Sequence, residues 1–464
     1  MKKKDLEQLG LTGHQVLKEA IKVTSKSRSF GVRKKQLKED LACIAQTPEN
    51  FLHHELYGLL ANEILHERQF LLSPRYVFEP KPFEHWGDDI DSQTFSQMED
   101  ACALPITAAA ALMPDAHLGY GLPIGGVLAT RGAVIPYAVG VDIACRVMMT
   151  VFDLPIDDLR RKRALYEDIL EKKTQFGIGA KWKNKKSHSV MDLDWNVSPR
   201  TATLKDIAWG QLGTSGSGNH FVEFGTVKFL NQFGEIPEGE YIAVVSHSGS
   251  RGAGARVAQY YTDLAQKLHP TLPKRYRHLS WLPLDGEGQE YWQAMELMGA
   301  YASANHHVIH REIRKACGGS VLFEIENHHN FAWKESHGGE EVVVHRKGAT
   351  PAHRGTLGYI PGTMVAPGFL VEGLGNETSL CSSSHGAGRQ MSRKKAKSTT
   401  TLHALKQIVR EHGVSLLSAG LDESPHAYKD ILRVMTAQSD LVRILARFDP
   451  KIVKMAPDGE LAED

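Results

Sequence analysis

From Pro105 onward one grammar recurs: an apolar, β-prone run, a glycine-rich turn, then a side chain able to ligate a metal or hold a phosphate. The runs are GGVLATRGAVIPYAVGVD, VMMTVF, YIAVVSHSGS, SVLFEIENHHN, EEVVVH and GTMVAPGFLVEG. Runs rich in Val, Ile and Phe and bounded by glycine are strand signals, and the polar groups after them fall on loops, where chemistry concentrates. Helical stretches intervene at about 157–174, 254–268, 287–317, 402–417 and 438–447. Alternation of this kind predicts an α/β (α+β) core over 105–464, with mixed β-sheets and the catalytic groups on connecting loops. Residues 1–75 differ. They are charge-rich, and KEAIKV and ELYGLLANEILHERQFLL carry apolar residues at three- and four-residue spacing, so a helical N-terminal extension is expected there.

Composition narrows the class. The five cysteines, Cys43, Cys102, Cys145, Cys317 and Cys381, are odd in number and scattered, which argues against a disulfide framework and for a reducing compartment. MKKK is followed by polar residues instead of a signal-peptide core, and ACALPITAAAALM at 101–113 is too short to span a bilayer. A cytoplasmic enzyme or binding protein is expected. Formal charge is +1, so a nucleic-acid partner would be met by local patches and not by a net field. KWKNKKSHS at 181–189 and LHPTLPKRYRH at 268–278 read as basic surface loops, and the terminal APDGELAED as a frayed end.

Four loops carry metal ligands. VGVDIACR offers Asp142 and Cys145, and GSGNHFVEF offers His220 beside Asn219 and Glu223. VVSHSGSRG offers His247 with Arg251 close behind, and EIENHHNFAW offers His328 and His329, of which one can face inward from a strand. Asp, Cys and three His suit Zn, Mn, Co or Ni, with a thiolate able to bridge two ions, and two-metal sites commonly serve phosphoryl chemistry. His306, His307 and His310 lie in a helical stretch without the glutamate of HExxH, so a solvated helix face is expected for them. Anion-binding features accompany the ligands. QLGTSGSGNH and HSGSRGAG are Gly/Ser loops that match neither the P-loop nor the dinucleotide fingerprint. HRKGATPA sets Arg346 and Lys347 before a glycine, as a phosphate seat or a solvated hairpin. KWKNKKSHS, with Trp182 among lysines, is a soluble loop or an RNA contact. In SSSHGAGRQMSRKKAK at 382–397, His385 stands among small residues and is followed by cations, which suits a large anionic ligand.

Taken in order, PDAHLGYGLPIGGV, GVDIAC, GSGNHFVE, HSGSRG, HHN, RKGAT and HGAGRQMSR resemble RtcB, the RNA-splicing ligase family, from about residue 105 to the C-terminus. The resemblance implies a single catalytic domain of the family's own α/β fold with a dinuclear metal site. It implies an enzyme that joins RNA 2′,3′-cyclic-phosphate or 3′-phosphate ends to 5′-hydroxyl ends with GTP and Mn²⁺, and it leaves open whether an activator protein assists. His385 resembles the residue that is guanylylated, its neighbours Gly386, Ala387 and Gly388 giving the nucleotide room. Asp142, Cys145, His220, His247 and His329 would hold two Mn²⁺ ions with Cys145 bridging, His329 being preferred to His328 because it precedes Asn330. Asn219, Glu223, Thr363, Met364, Tyr428 and Lys454 would contact the guanosine. Phe221, Val222, Asn330, Pro361 and Gly362 complete the nucleotide-binding set with His220, His329 and His385. Arg251, Lys347 and Arg389 match residues that hold RNA or nucleotide phosphates.

The chain departs from the family pattern in places. Ala144 and Arg146 flank Cys145 where glycines are usual, and Arg146 sets a cation beside the thiolate. Thr363 and Gly368 stand where serines are common. The first 70 or so residues exceed a short family member and imply a divergent branch suited to RNA repair. The alternative reading is a metal-dependent RNA end-processing phosphodiesterase that does not ligate; it needs the metals but no guanylylated His385.

Overall fold

The computed structural model describes residues 1, 3–72 and 76–460. It divides into two compact units, Met1–Tyr76 with His269–Leu272, and Val77–Leu268 with Pro273–Asp464. In the first, helices His14–Lys26, Lys34–Gln46 and Gly58–Leu72 enclose a core of their own that includes Leu6, Leu17, Leu37, Leu41 and Leu60.

The larger unit is mixed α/β and is organised by two sheets. The eight-stranded sheet runs Leu357–Ile360, Gly368–Gly373, Val442–Met455, Phe221–Phe229, Gly239–Ser248, Arg146–Asp153 and Ser320–His328, with Ser415–Ser418 added beside Val442–Met455. The five-stranded sheet runs Glu84–His85, Thr107–His117, Ile124–Thr130, Glu340–Lys347 and Asn330–His337. Arg146–Asp153 sits between two partners, and its residues are buried up to Phe152, which is why RVMMTVF reads as one apolar run without alternation. Helices Arg163–Lys173 and Glu287–Cys317 cover one face of the large sheet, packing Tyr166, Ile169, Ile309 and Ile313 against Phe152, Phe224 and Val244. The long helix stops at Gly318, which takes the left-handed conformation at φ 75° that terminates a helix without a Cβ penalty.

Three expectations need correction. The stretch 438–447, expected as a helix, is a turn over 438–441 and then the start of the strand Val442–Met455, whose pairing with Gly368–Gly373 and Phe221–Phe229 overrides the helical propensity of Leu, Ala and Arg. The helix expected over 402–417 ends at Glu411, and Ser415–Ser418 pairs as a strand. VIPYAV is interrupted by a short helix, Pro136–Val139, because proline is favoured at a first helical turn.

Candidate active site

Neighbouring strand ends deliver the ligand-bearing loops to one place. His247 lies near the end of Gly239–Ser248, paired with Val147 on one side and Phe221 on the other, which puts Cys145 and His220 just beyond its two neighbours. Cys145 Sγ lies 3.4 Å from His220 Nε2 and 3.1 Å from His247 Nε2, and His247 Nε2 lies 3.2 Å from His329 Nε2. Asp142 Oδ2 is 3.1 Å from His220 Nε2. All five side chains are buried. Gly249 permits the close approach of Asp142, since a Cβ there would lie 2.0 Å from the carboxylate, and the N–H of Ser250 donates to Asp142 Oδ1 at 2.9 Å.

The tautomer of His247 follows from its other nitrogen. Asn219 O, a carbonyl that can only accept, lies 3.1 Å from Nδ1, so Nδ1 carries the proton and Nε2 presents a lone pair to Cys145 and His329. Burial, reinforced by neighbouring histidines, holds His247 and His329 well below the ordinary imidazole range, so both rings are neutral. Burial by itself would raise the Asp142 carboxyl, but the His220 hydrogen bond and charge pull it below its usual value. Sulfur, nitrogen and oxygen atoms able to ligate a metal therefore converge at 3.1–3.4 Å. Ligands at about 2.0–2.3 Å from one tetrahedral ion stand roughly that far apart. The residues fit a transition-metal centre of mixed thiolate, imidazole and carboxylate character.

Ala144 and Arg251, on either side of this cluster, both have φ 56°, a region that disfavours side chains. At Ala144 the glycine-like backbone is kept although the glycine is not. Arg146 stands close enough to Cys145 for the two to interact electrostatically, but its hydrogen bonds go elsewhere. Its guanidinium donates to Glu326 at 2.9 Å and to the carbonyl of Gly299 at 3.0 Å.

His385 stands beside this centre, its ring centroid 4.9 Å from that of His329. Asp115, fully buried and not singled out by the motifs, fixes it. Its Oδ2 lies 2.6 Å from His385 Nδ1 and accepts from the backbone N–H groups of His385 and Gly386 at 3.1 and 3.3 Å. The remaining ring nitrogen, Nε2, is thereby left as the base or nucleophile. Gly388 has φ 73°, and a Cβ there would lie 2.0 Å from the Asp115 carbonyl, so the glycine lets this loop close over Asp115. Nothing in one sequence says that a strand will bring position 115 to position 385.

Other candidates fall into two groups. Phe221, Glu223, Pro361, Gly362, Thr363 and Met364 line one slot of about 20 Å³, smaller than a base as it stands. Burial pushes the Glu223 carboxyl up to about 8. Arg251 and Asp142 instead border a cavity of about 640 Å³ that Lys181, Asp206 and Arg256 also line, and Arg251 donates to Thr214 Oγ1 and the Gly177 carbonyl. Lys347 is buried, donates to the Tyr120 carbonyl at 2.6 Å, and is lowered by desolvation to about 7. Arg346 beside it is fully buried on Glu335, so this segment is not a solvated hairpin.

Several residues are engaged elsewhere. Arg389 is held by Glu423, the Asp422 carbonyl and the hydroxyl of Tyr428, which itself bonds Glu423. Asn330 ties the Asp142 carbonyl to the N–H of Gly348. Val222 packs in the core on the side of the sheet opposite Glu223, and Lys454, its cross-strand partner, donates to the carbonyls of Leu170 and Glu171. His306 and His310, expected on a solvated face, are buried and bonded to Ser246 Oγ at 2.6 and 2.7 Å. In KWKNKKSHS, Lys186 lies over the loop's own Trp182 ring and Lys185 over Trp209 of the helix Lys205–Gln211, so two of the loop's cations are spent on indole faces.

A mixed α/β protein with a thiolate–imidazole cluster able to hold a metal, beside a carboxylate-oriented histidine, is the class defined so far. The family model described as tRNA-splicing ligase RtcB matches residues 97–209 and 198–455. The RNA-splicing ligase RtcB of Escherichia coli K12 is 35% identical over 408 residues, covering 79% of this chain and 95% of the relative. The tRNA-splicing ligase RtcB of Nanoarchaeum equitans is 32% identical, covering 84% and 97%. The RNA-splicing ligase RtcB of Mycobacterium tuberculosis is 30% identical, covering 76% and 98%. The chain belongs to the RtcB family.

Proposed function

We propose that this protein is an RNA ligase that uses GTP and Mn²⁺ to join 2′,3′-cyclic-phosphate or 3′-phosphate RNA ends to 5′-hydroxyl ends, in the cytoplasm. The observation that carries the reading is the 2.6 Å pairing of His385 Nδ1 with buried Asp115, which reserves Nε2 for chemistry on a ring 4.9 Å from that of His329. In this reading Nε2 attacks the α-phosphorus of GTP; a P–N bond forms, pyrophosphate leaves and GMP remains on His385. A cyclic phosphate is opened by water to a 3′-phosphate. That phosphate takes the GMP, giving an RNA(3′)pp(5′)G end, and the 5′-hydroxyl then displaces GMP to form the phosphodiester.

Asp115 keeps the proton on Nδ1 and steadies the charge that develops on the ring. Asp142, Cys145, His220, His247 and His329 would hold two Mn²⁺ ions, which when bound would supply Lewis-acid polarisation of phosphoryl oxygens. Glu223 faces the slot with its carboxyl raised by burial, and the N–H groups of a guanine are donors that would satisfy it. Lys347 and Arg251 contribute positive charge where phosphates would lie, and the 640 Å³ cavity beside Arg251 is a seat for an RNA strand.

The test is incubation with α-³²P-GTP and Mn²⁺, followed by a denaturing gel and mass analysis, with His385→Ala alongside. An acid-labile adduct of GMP mass on the wild type alone is expected. Metal binding without an adduct from any nucleoside triphosphate would transfer the reading to an end-processing phosphodiesterase.

A further inference from the structure

The helical unit carries its charge unevenly. From Lys22 to Lys38 there are seven cations, Lys22, Lys26, Arg28, Arg33, Lys34, Lys35 and Lys38, and no carboxylate, whereas over the rest of residues 1–76 carboxylates outnumber cations. All seven are exposed. Lys22 pairs with Glu19, and among the described residues the other six have no carboxylate partner. The segment lies outside the part of the chain that the family model matches.

These charges stand on a fixed support. The helix His14–Lys26 and the helix Lys34–Gln46 are joined by a turn closed by Ser29 N–H to Lys26 O at 3.0 Å, Gly31 N–H to Arg28 O at 3.1 Å and Val32 N–H to Ser27 O at 3.0 Å. Buried Val23, Ser27 and Leu37 anchor it. Lys34 and Lys35 occupy the first turn of a helix that has no acidic residue there and no side-chain cap, so they add to the positive end of its dipole. Crowding like charges in this way costs stability in the free protein, and a polyanion would offset the cost. At the tip Phe30 is 43% exposed, between Arg28 and Arg33. An aromatic ring flanked by cations is the arrangement that stacks a base while neutralising the adjoining phosphates. A membrane surface fits less well, because insertion needs a continuous apolar face and the apolar face of these helices is consumed by the unit's own core.

We propose that this hairpin is a second RNA-binding surface that grips single-stranded RNA apart from the ends being joined. The inference rests on the ligase reading for the identity of the polyanion, and it goes beyond that reading in giving the N-terminal helices a task. Two points of attachment on one RNA raise the effective concentration of its end at the catalytic unit.

The experiment uses the full chain and a fluorescein-labelled single-stranded RNA with a 3′-phosphate, followed by anisotropy over a salt titration. The variant Arg28→Gln/Arg33→Gln/Lys34→Gln/Lys35→Gln alters only exposed side chains, and its far-UV circular dichroism should match the wild type. Binding is expected to weaken about 10- to 100-fold at 0.1 M salt, and the log–log salt slope to fall by roughly 3, at about 0.7 for each phosphate no longer neutralised. Phe30→Ala should weaken binding about tenfold and leave the slope unchanged. Adduct formation on His385, which needs no RNA, should be the same in both variants and the wild type. Unchanged affinity and slope would overturn the proposal, as would variant defects seen only in sedimentation with phosphatidylglycerol vesicles. A wild type that forms no adduct, with the RNA-binding differences intact, would sink the ligase reading and leave this surface standing.

Discussion

Two sets of buried histidines lie in the catalytic unit, and they have opposite meanings. His247 and His329 belong to the metal cluster; His306 and His310 lie on the helix Glu287–Cys317. Burial holds all four rings below the ordinary imidazole pKa, His306 at about 3, so electrostatics alone does not tell them apart. Hydrogen bonding does. His306 Nε2 lies 3.1 Å from the Ser248 carbonyl and must donate to it, its Nδ1 then accepts from Ser246 Oγ, and Ser246 in turn accepts from His310 Nε2. Thr150 Oγ1, which also donates to Glu324 at 2.9 Å, lies 2.7 Å from His310 Nδ1. Every nitrogen of this pair is spent. In the other set, Nε2 atoms meet each other and a sulfur, the arrangement of a group that could hold a metal ion.

The comparison breaks most easily at the cluster. Cys145→Ala should lower metal content, read by inductively coupled plasma mass spectrometry, and reduce adduct formation by about 10³-fold or more. Full metal loading in that variant would mean that the sulfur is merely packed. Next in size is Asp115→Asn, which preserves shape but offers His385 an amide; the ring can then turn over to the wrong tautomer, and the rate of adduct formation should fall by about 10²–10⁴. Metal content should not change. An equal rate in this variant would show that Asp115 only fixes the loop.

The second set predicts a stability effect without a metal effect. His306→Gln leaves Ser246 and the Ser248 carbonyl imperfectly paired in the core, which should cost about 2 kcal/mol by urea unfolding while metal content stays at the wild-type level. The pH dependence has a definite sign. An unfolded histidine titrates near 6.5, and the folded His306 near 3. The stability gained from keeping the ring neutral is therefore complete above about pH 6.5, and it drains as pH falls toward 3, at up to about 1.4 kcal/mol per pH unit. Urea midpoints at pH 7.5, 6 and 5 should fall for the wild type and fall less steeply for His306→Gln. Loss of metal from this variant at pH 7.5 would join the two sets that the hydrogen bonds separate.

How much of this was legible beforehand depends on the range of the interaction involved. Cys145, His220, His247 and His329 each border a β-prone run, and strand pairing alone carries them to one edge, so local pattern sufficed. Arg389 and Tyr428, expected as phosphate and guanosine contacts, both meet Glu423, which is 34 positions from Arg389 and five from Tyr428. Asp115 was invisible as an individual residue because its partner is 270 positions away. His306 and His310 were misread for a related reason: helical periodicity shows that one face is apolar, but not that a sheet of serines and threonines will accept the imidazoles on it. In the strand Val442–Met455, ILAR suits either helix or strand, and the two neighbouring strands decide.

The smallest expected effect separates two residues on one pair of strands. Glu223 and Val453 are cross-strand partners facing the slot, while Lys454 is one residue on and so points to the other side, toward Leu170 and Glu171. Its ion pair with Glu171, at 2.8 Å and half exposed, contributes about 0.5 kcal/mol at most. Glu223→Gln should raise the GTP concentration needed for half-maximal adduct formation about tenfold, and Lys454→Ala less than threefold. A larger effect at Lys454 would mean that the lysine swings around the end of the strand to meet the base. The slot of about 20 Å³ would then be the closed form of a pocket whose opening includes that movement.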